Sequence, residues 1–106
     1  MTLHEVKSQS IDMALMVFDG NRTLSAKHLG ISLRSIRAWI RHEPCLRKWK
    51  IEPNRFKRLK KIYPTFEIAF RALRNSQLWL CANEKERGML AKHLQNNYDY
   101  KNGGVL

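Results

Sequence analysis

Between Asn21 and His42 the chain reads NRTLSAKHLGISLRSIRAWIRH, a spacing of small and apolar residues that suits two short helices joined by a tight turn. Ala26 falls where the first helix must approach the second closely. Gly30 falls where the chain turns with positive φ, a conformation glycine adopts without a Cβ clash. Leu29, Ile31, Ile36 and Trp39 then face one common core. The pattern is that of a helix-turn-helix. Its second helix takes Ser32 as N-cap and turns Leu33, Arg34, Ser35, Arg37, Ala38 and Arg41 outward, three of them cationic and long enough to enter a major groove.

Charge points the same way. The chain has 106 residues with 20 Lys plus Arg against 9 Asp plus Glu, and a pI near 10.2, the electrostatic footprint of a nucleic-acid binder. The excess is uneven: residues 1–61 hold 14 basic and 5 acidic side chains, residues 62–106 only 6 and 4. One half is suited to meeting phosphate and the other to packing. A hydrophobic content of 43% is ordinary for one globular domain with a modest core. The opening MTLHEVKSQSID lacks the basic start and apolar run of a secretory signal, and no stretch is long and apolar enough to span a membrane. A cytoplasmic protein is expected, with Cys45 and Cys81 as reduced thiols.

The expected fold class is all-α: an N-terminal three-helix helix-turn-helix unit over 1–44, a basic connector and helix over 45–64, a C-terminal helical pair over 65–97 and a mobile tail over 98–106. Thr2 with Glu5 forms a candidate capping box for the first helix, although Ser8 or Ser10 are alternative starts. Ile11, Ala14, Leu15 and Phe18 give that helix its apolar stripe, and Gly20 with Asn21 ends it. The second helix runs from about Thr23 to Leu29 and the third from about Ser32 to Arg41, with Pro44 forcing an exit near Glu43. In CLRKWKIEPNRFKRLKKIYP the cations Arg47, Lys48, Lys50, Arg55, Lys57, Arg58, Lys60 and Lys61 surround one acid, Glu52, and Pro53 opens a basic amphipathic helix that Pro64 closes. TFEIAFRALRNSQLWLC then reads as one helix with Phe66, Ala69, Phe70, Leu73 and Leu80 on one stripe. Asn83 and Glu86 cap a last helix whose Met89, Leu90, His93 and Leu94 face inward.

Gly20-Asn21-Arg22-Thr23, Ala26, the Leu29-Gly30-Ile31-Ser32 turn and Arg34 to Arg37 resemble the helix-turn-helix of the Fis family, the module that also closes NtrC-type enhancer-binding activators. The resemblance covers about Asp12 to His42 and implies sequence-selective binding to duplex DNA, commonly as a dimer. Carried over by position, Ser32, Leu33, Arg34 and Ser35 lie at base edges, with Arg37 and Arg41 nearer the backbone. The chain departs from the family in placing this module at its N-terminal end, so a dimer interface cannot be inherited, and in carrying Leu33 where a polar or basic side chain is usual.

The resulting expectation is a small DNA-binding transcriptional regulator. Ser32, Leu33, Arg34, Ser35, Arg37 and Ala38 read bases, while Arg22, Thr23, Lys27, Arg41, Lys48, Lys50, Arg55, Lys57, Arg58, Lys60 and Lys61 hold phosphates. Trp79 beside Leu78 and Leu80 widens the apolar perimeter of its helix, so Phe66, Phe70, Leu73, Trp79 and Leu80 are the expected surface of a homodimer. Trp39 is needed by the core. Trp49, between Lys48 and Lys50, is a candidate exposed aromatic. His42, Cys45, Cys81 and His93 lack the spacing of a zinc finger, and no carboxylate pair, nucleophile with a base or glycine-rich phosphate cradle is present, so no metal, cofactor or enzymatic activity is expected. Two rival readings remain: a protein-interaction module on a helix-turn-helix scaffold, and an RNA-binding or mobile-element accessory protein led by the basic helix.

Overall fold

In the computed structural model, which describes residues 2–50 and 62–103, the described residues form helices and turns and contain no strand. Helix α1 (Leu3–Val17) is held at its start by Thr2, whose hydroxyl accepts the Glu5 N–H at 3.1 Å and lies 3.2 Å from the Glu5 carboxylate. The Thr2 hydroxyl supplies the N-cap half of the capping box, and it settles the start of the helix at Thr2 in place of Ser8 or Ser10. At the other end Asp19 and Gly20 take positive φ, and the Gly20 N–H reaches back to the Leu15 carbonyl at 2.7 Å. Helix α2 (Arg22–Leu29) begins at Asn21, which accepts the Leu24 N–H at 3.0 Å, and ends at Gly30 with φ 73°. Helix α3 (Leu33–His42) begins at Ser32 and stops at Glu43, extended because Pro44 follows. A 3₁₀ helix (Pro44–Trp49) comes next.

The C-terminal half divides more finely than its apolar period implies. Helix α4 (Phe66–Arg74) ends at Asn75, Ser76 caps a short α5 (Gln77–Leu80), and α6 (Glu84–Gly103) follows, its Glu86 N–H held by Asn83 at 2.8 Å. The single stripe expected from Phe66 to Leu80 is therefore broken. The Ser76 hydroxyl donates to the Leu73 carbonyl at 2.6 Å, consuming an acceptor left over at the end of α4, and the change of direction leaves Leu80 55% exposed. Nor does the chain become an irregular tail at residue 98. Leu90, Leu94 and Tyr98, one turn apart, are all buried, and the Tyr98 hydroxyl donates to the Tyr63 carbonyl at 2.8 Å. The neighbouring Asn97 amide donates to the Val17 carbonyl at 2.8 Å, answering an orphan acceptor at the end of α1. His93, expected inside, is exposed, with its ring edge against Phe18 at 5.2 Å.

Helix α1 is the hub, packed against α2, α5, α6 and the 3₁₀ helix. Its Ile11, Ala14, Leu15 and Met16 share one buried cluster with Ile36 and Ile40 of α3, Leu46 and Trp49 of the 3₁₀ helix, and Leu73, Leu90 and Leu94 beyond. Trp49 is thus not an exposed aromatic. It has no exposed surface, and its indole Nε1–H donates to the Asp12 carboxylate at 2.8 Å.

Burial, followed by the charge of Asp19, pushes the Tyr98 phenol up to about 12, and burial, with the charge and hydrogen bond of Asp12, raises that of Tyr63 further. Below pH 10 these phenols are neutral in both the folded and the unfolded chain. Above it the unfolded phenols ionise first, so the stability that the neutral forms contribute is lost as pH rises through the folded values. Urea unfolding should show a midpoint insensitive to these groups below pH 10 and falling between 10 and 12, and Tyr98→Phe should make that fall shallower.

Candidate nucleic-acid interface

Helix α3 owes its start to Ser32. Its hydroxyl accepts the Ser35 N–H at 3.0 Å and donates to the Ser35 hydroxyl at 3.0 Å, so its hydrogen and one lone pair are spent inside the protein. Ser32, expected among the base readers, is thus the cap of α3 and keeps no hydrogen to donate outward, while the Ser35 hydroxyl keeps its own hydrogen for another acceptor. Ile36 and Ile40 bury the inner face completely or nearly so, and Leu33, Ala38 and Trp39 are half-buried. At about 100° per residue, Arg37, Arg41 and Arg34 then occupy one arc of about 60° facing away from Ile36. All three are exposed. No other described element covers this arc, which is free to meet a ligand as broad as a nucleic-acid groove.

Beside the arc, Arg22, Arg37, Ile40, Arg41 and Lys50 line a cleft of about 190 Å³. Among the described residues its wall holds four cations and no carboxylate. The sequence underlies this imbalance, since no acid occurs between Asp19 and Glu43, and Glu43 is itself engaged by His4 at 2.6 Å. Arg22 anchors the cleft: its guanidinium donates to the Trp49 carbonyl at 3.0 Å and the Lys50 carbonyl at 3.4 Å, tying the start of α2 to the end of the 3₁₀ helix. An arginine expected only to touch phosphate thus also positions Lys50. Such a concavity concentrates positive potential and suits a single phosphate group.

Other expected contacts fall elsewhere. Thr23 and Lys27 are exposed on α2. Lys48 does not belong to the cationic surface, because its ammonium pairs with Asp12 at 3.1 Å and sits 5.7 Å from the centre of the Tyr63 ring. Arg55, Lys57, Arg58, Lys60 and Lys61 lie outside the described residues. No family model, curated protein or solved structure matches the chain. The likeness of residues 20–37 to the Fis family accordingly rests on those residues.

The expected dimer surface is largely internal. Leu73 is fully buried, Phe66 and Phe70 stack at 5.3 Å with Phe66 also edge-on to Tyr98, and Trp79 is half-buried between Phe70 at 5.5 Å and the Arg87 guanidinium. Helices α4 to α6 satisfy these aromatics within the chain, and of the five only Leu80 is exposed, accompanied by Ile68 at 47%. Among the described residues no three His, Cys, Asp or Glu side chains are grouped to hold a metal ion, and Cys45 and Cys81 are free thiols. No described helix is long and apolar enough to cross a membrane.

The contact that inspection of the sequence missed is His4 with Glu43 and Trp39. The imidazole bonds the carboxylate and lies 5.0 Å from the Trp39 ring, fixing the first turn of α1 on the last turn of α3. Nothing local marks a pair 39 residues apart. Asp12 carried a clearer signal, a lone acid beside the apolar run Met13 to Phe18, where a buried partner is needed.

Proposed function

We propose that this chain is a sequence-selective double-stranded DNA-binding protein, a small regulator that inserts α3 into the major groove. The reading rests above all on the exposed arginine arc of α3 standing beside a cleft that, among the described residues, is lined by four cations and no acid. Arg34 and Ser35 face base edges, where an arginine pairs bidentately with guanine. Arg37, Arg41 and Lys50 hold the flanking phosphate, so Arg37 moves from the reading role to the anchoring one. Leu33 and Ala38 supply short apolar surface at the thymine methyl level.

Selection of bound sequences from random duplex at near-physiological salt supplies the preferred site, and a two-fold symmetric site would mean that two copies bind together. On that site Arg34→Ala should lose about 1–3 kcal/mol, and much less on random DNA. Anisotropy titrations with both duplexes measure the difference. Equal losses on the two would remove Arg34 from base reading.

A further inference from the structure

On the other flank of α3 lies a larger groove, of about 430 Å³, which meets the proposed duplex-binding surface only at Ser35. Its floor and walls are apolar: Val6 and Ile11 from α1, Leu29 and Ile31 from the α2–α3 turn, and the Trp39 ring from α3. These residues are buried or half-buried, so the groove is a preformed concavity in the size range of small-molecule sites. Its polar groups are few and lie together on the α1 side and the edge of α3. Lys7 and Ser10 stand one helical turn apart, and Ser35 faces them with a hydroxyl hydrogen not spent on Ser32.

The charge in this groove is one-sided. The side chains that neighbour Lys7 along α1, at three and four residues, are Leu3, His4, Ser10 and Ile11, none of them acidic. Among the described residues the groove wall also contains no carboxylate. An apolar trough with one ammonium and two hydroxyls at its edge is complementary to a molecule with a hydrocarbon or aromatic body and one anionic head. We propose that the groove binds an apolar monocarboxylate, its body against Ile31 and Trp39 and its carboxylate accepting from Lys7 and Ser10. Occupancy places the ligand against Ser35 and Trp39 of α3, and, resting on the proposed insertion of α3 into duplex, this makes the groove an effector site.

The test uses the free chain, so its result does not depend on whether duplex is bound. Octanoate, added below its micellar concentration, should shift the Trp39 indole signal and the Val6 and Ile31 methyl signals saturably in heteronuclear NMR. The buried Trp49 indole, bonded to Asp12, should stay in place and report that the fold is intact. The neutral analogue 1-octanol should bind about fivefold more weakly, and Lys7→Met should equalise the two. Ser10→Phe, whose ring fills the trough, should abolish both while leaving the Trp49 signal unmoved. Three results would overturn the proposal: no saturable shift at the groove, equal affinity of the unaltered chain for octanoate and octanol, or groove signals that respond to protein concentration alone, since a second copy would then be the occupant.

Discussion

Trp49→Ala is expected to destabilise the chain by about 3–5 kcal/mol, the range for emptying a large aromatic site in a packed core. The side chain has no exposed surface and closes the 3₁₀ helix over α1. Its loss also removes the donor to one oxygen of Asp12, whose other oxygen holds Lys48 at 3.1 Å. A carboxylate without its buried donor adds its own desolvation cost to that of the cavity. Against a total stability of about 5–15 kcal/mol for a domain, this is a large fraction. Trp49→Phe retains most of the volume and should cost less. Urea unfolding of both variants measures the difference, and a loss under about 1 kcal/mol for the alanine variant would mean that the 3₁₀ helix is not docked as described. The consequence reaches the candidate interface, because the Trp49 carbonyl is one of the acceptors that hold Arg22 in the cationic cleft.

The second large effect is on binding. Arg37→Ala combined with Arg41→Ala should lower affinity for any duplex by about 3 kcal/mol, roughly a hundredfold, because each removes a charge-assisted bond to phosphate. The slope of log affinity against log salt should flatten by about two units. Helix content should be unchanged, since both guanidinium groups are exposed. Lys92→Ala, an exposed cation on α6, is the control and should leave the affinity nearly as it was. Retention of the full salt slope in the double variant would place the phosphate contacts elsewhere on the chain.

What could be read from the sequence was local. Thr2 with Glu5, Gly30, Ser32, Pro44 and Asn83 with Glu86 each act within three or four residues, and each stands where its chemistry requires. Where several contacts competed, periodicity misled. The stripe from Phe66 to Leu80 reads as continuous, yet Asn75 and Ser76 offer the backbone an alternative set of hydrogen bonds, and the helix breaks there. The end of α6 shows the reverse. Tyr98 continues the spacing of Leu90 and Leu94 by one more turn, a signal outweighed by the polar composition around it. Long-range partners were least accessible. Trp49 finds Asp12, Lys48 finds the same carboxylate and His4 finds Glu43 only after α1 has docked. The candidate site was legible where it depends on helical phase, in the outward Arg34, Arg37 and Arg41. It was not legible where it depends on tertiary approach, in the meeting of Arg22 and Lys50 beside them.

The central claim is that the outer arc of α3 and its adjoining cleft are the surface that meets duplex DNA. The most direct measurement is a backbone amide perturbation map of the chain, titrated with a short duplex at about 150 mM salt, where surface charge effects are screened beyond roughly 8 Å. The account predicts saturable shifts concentrated at Arg34, Ser35, Arg37, Arg41, Arg22 and Lys50. Absence of binding, or shifts centred on α4 to α6 with α3 unmoved, would contradict it.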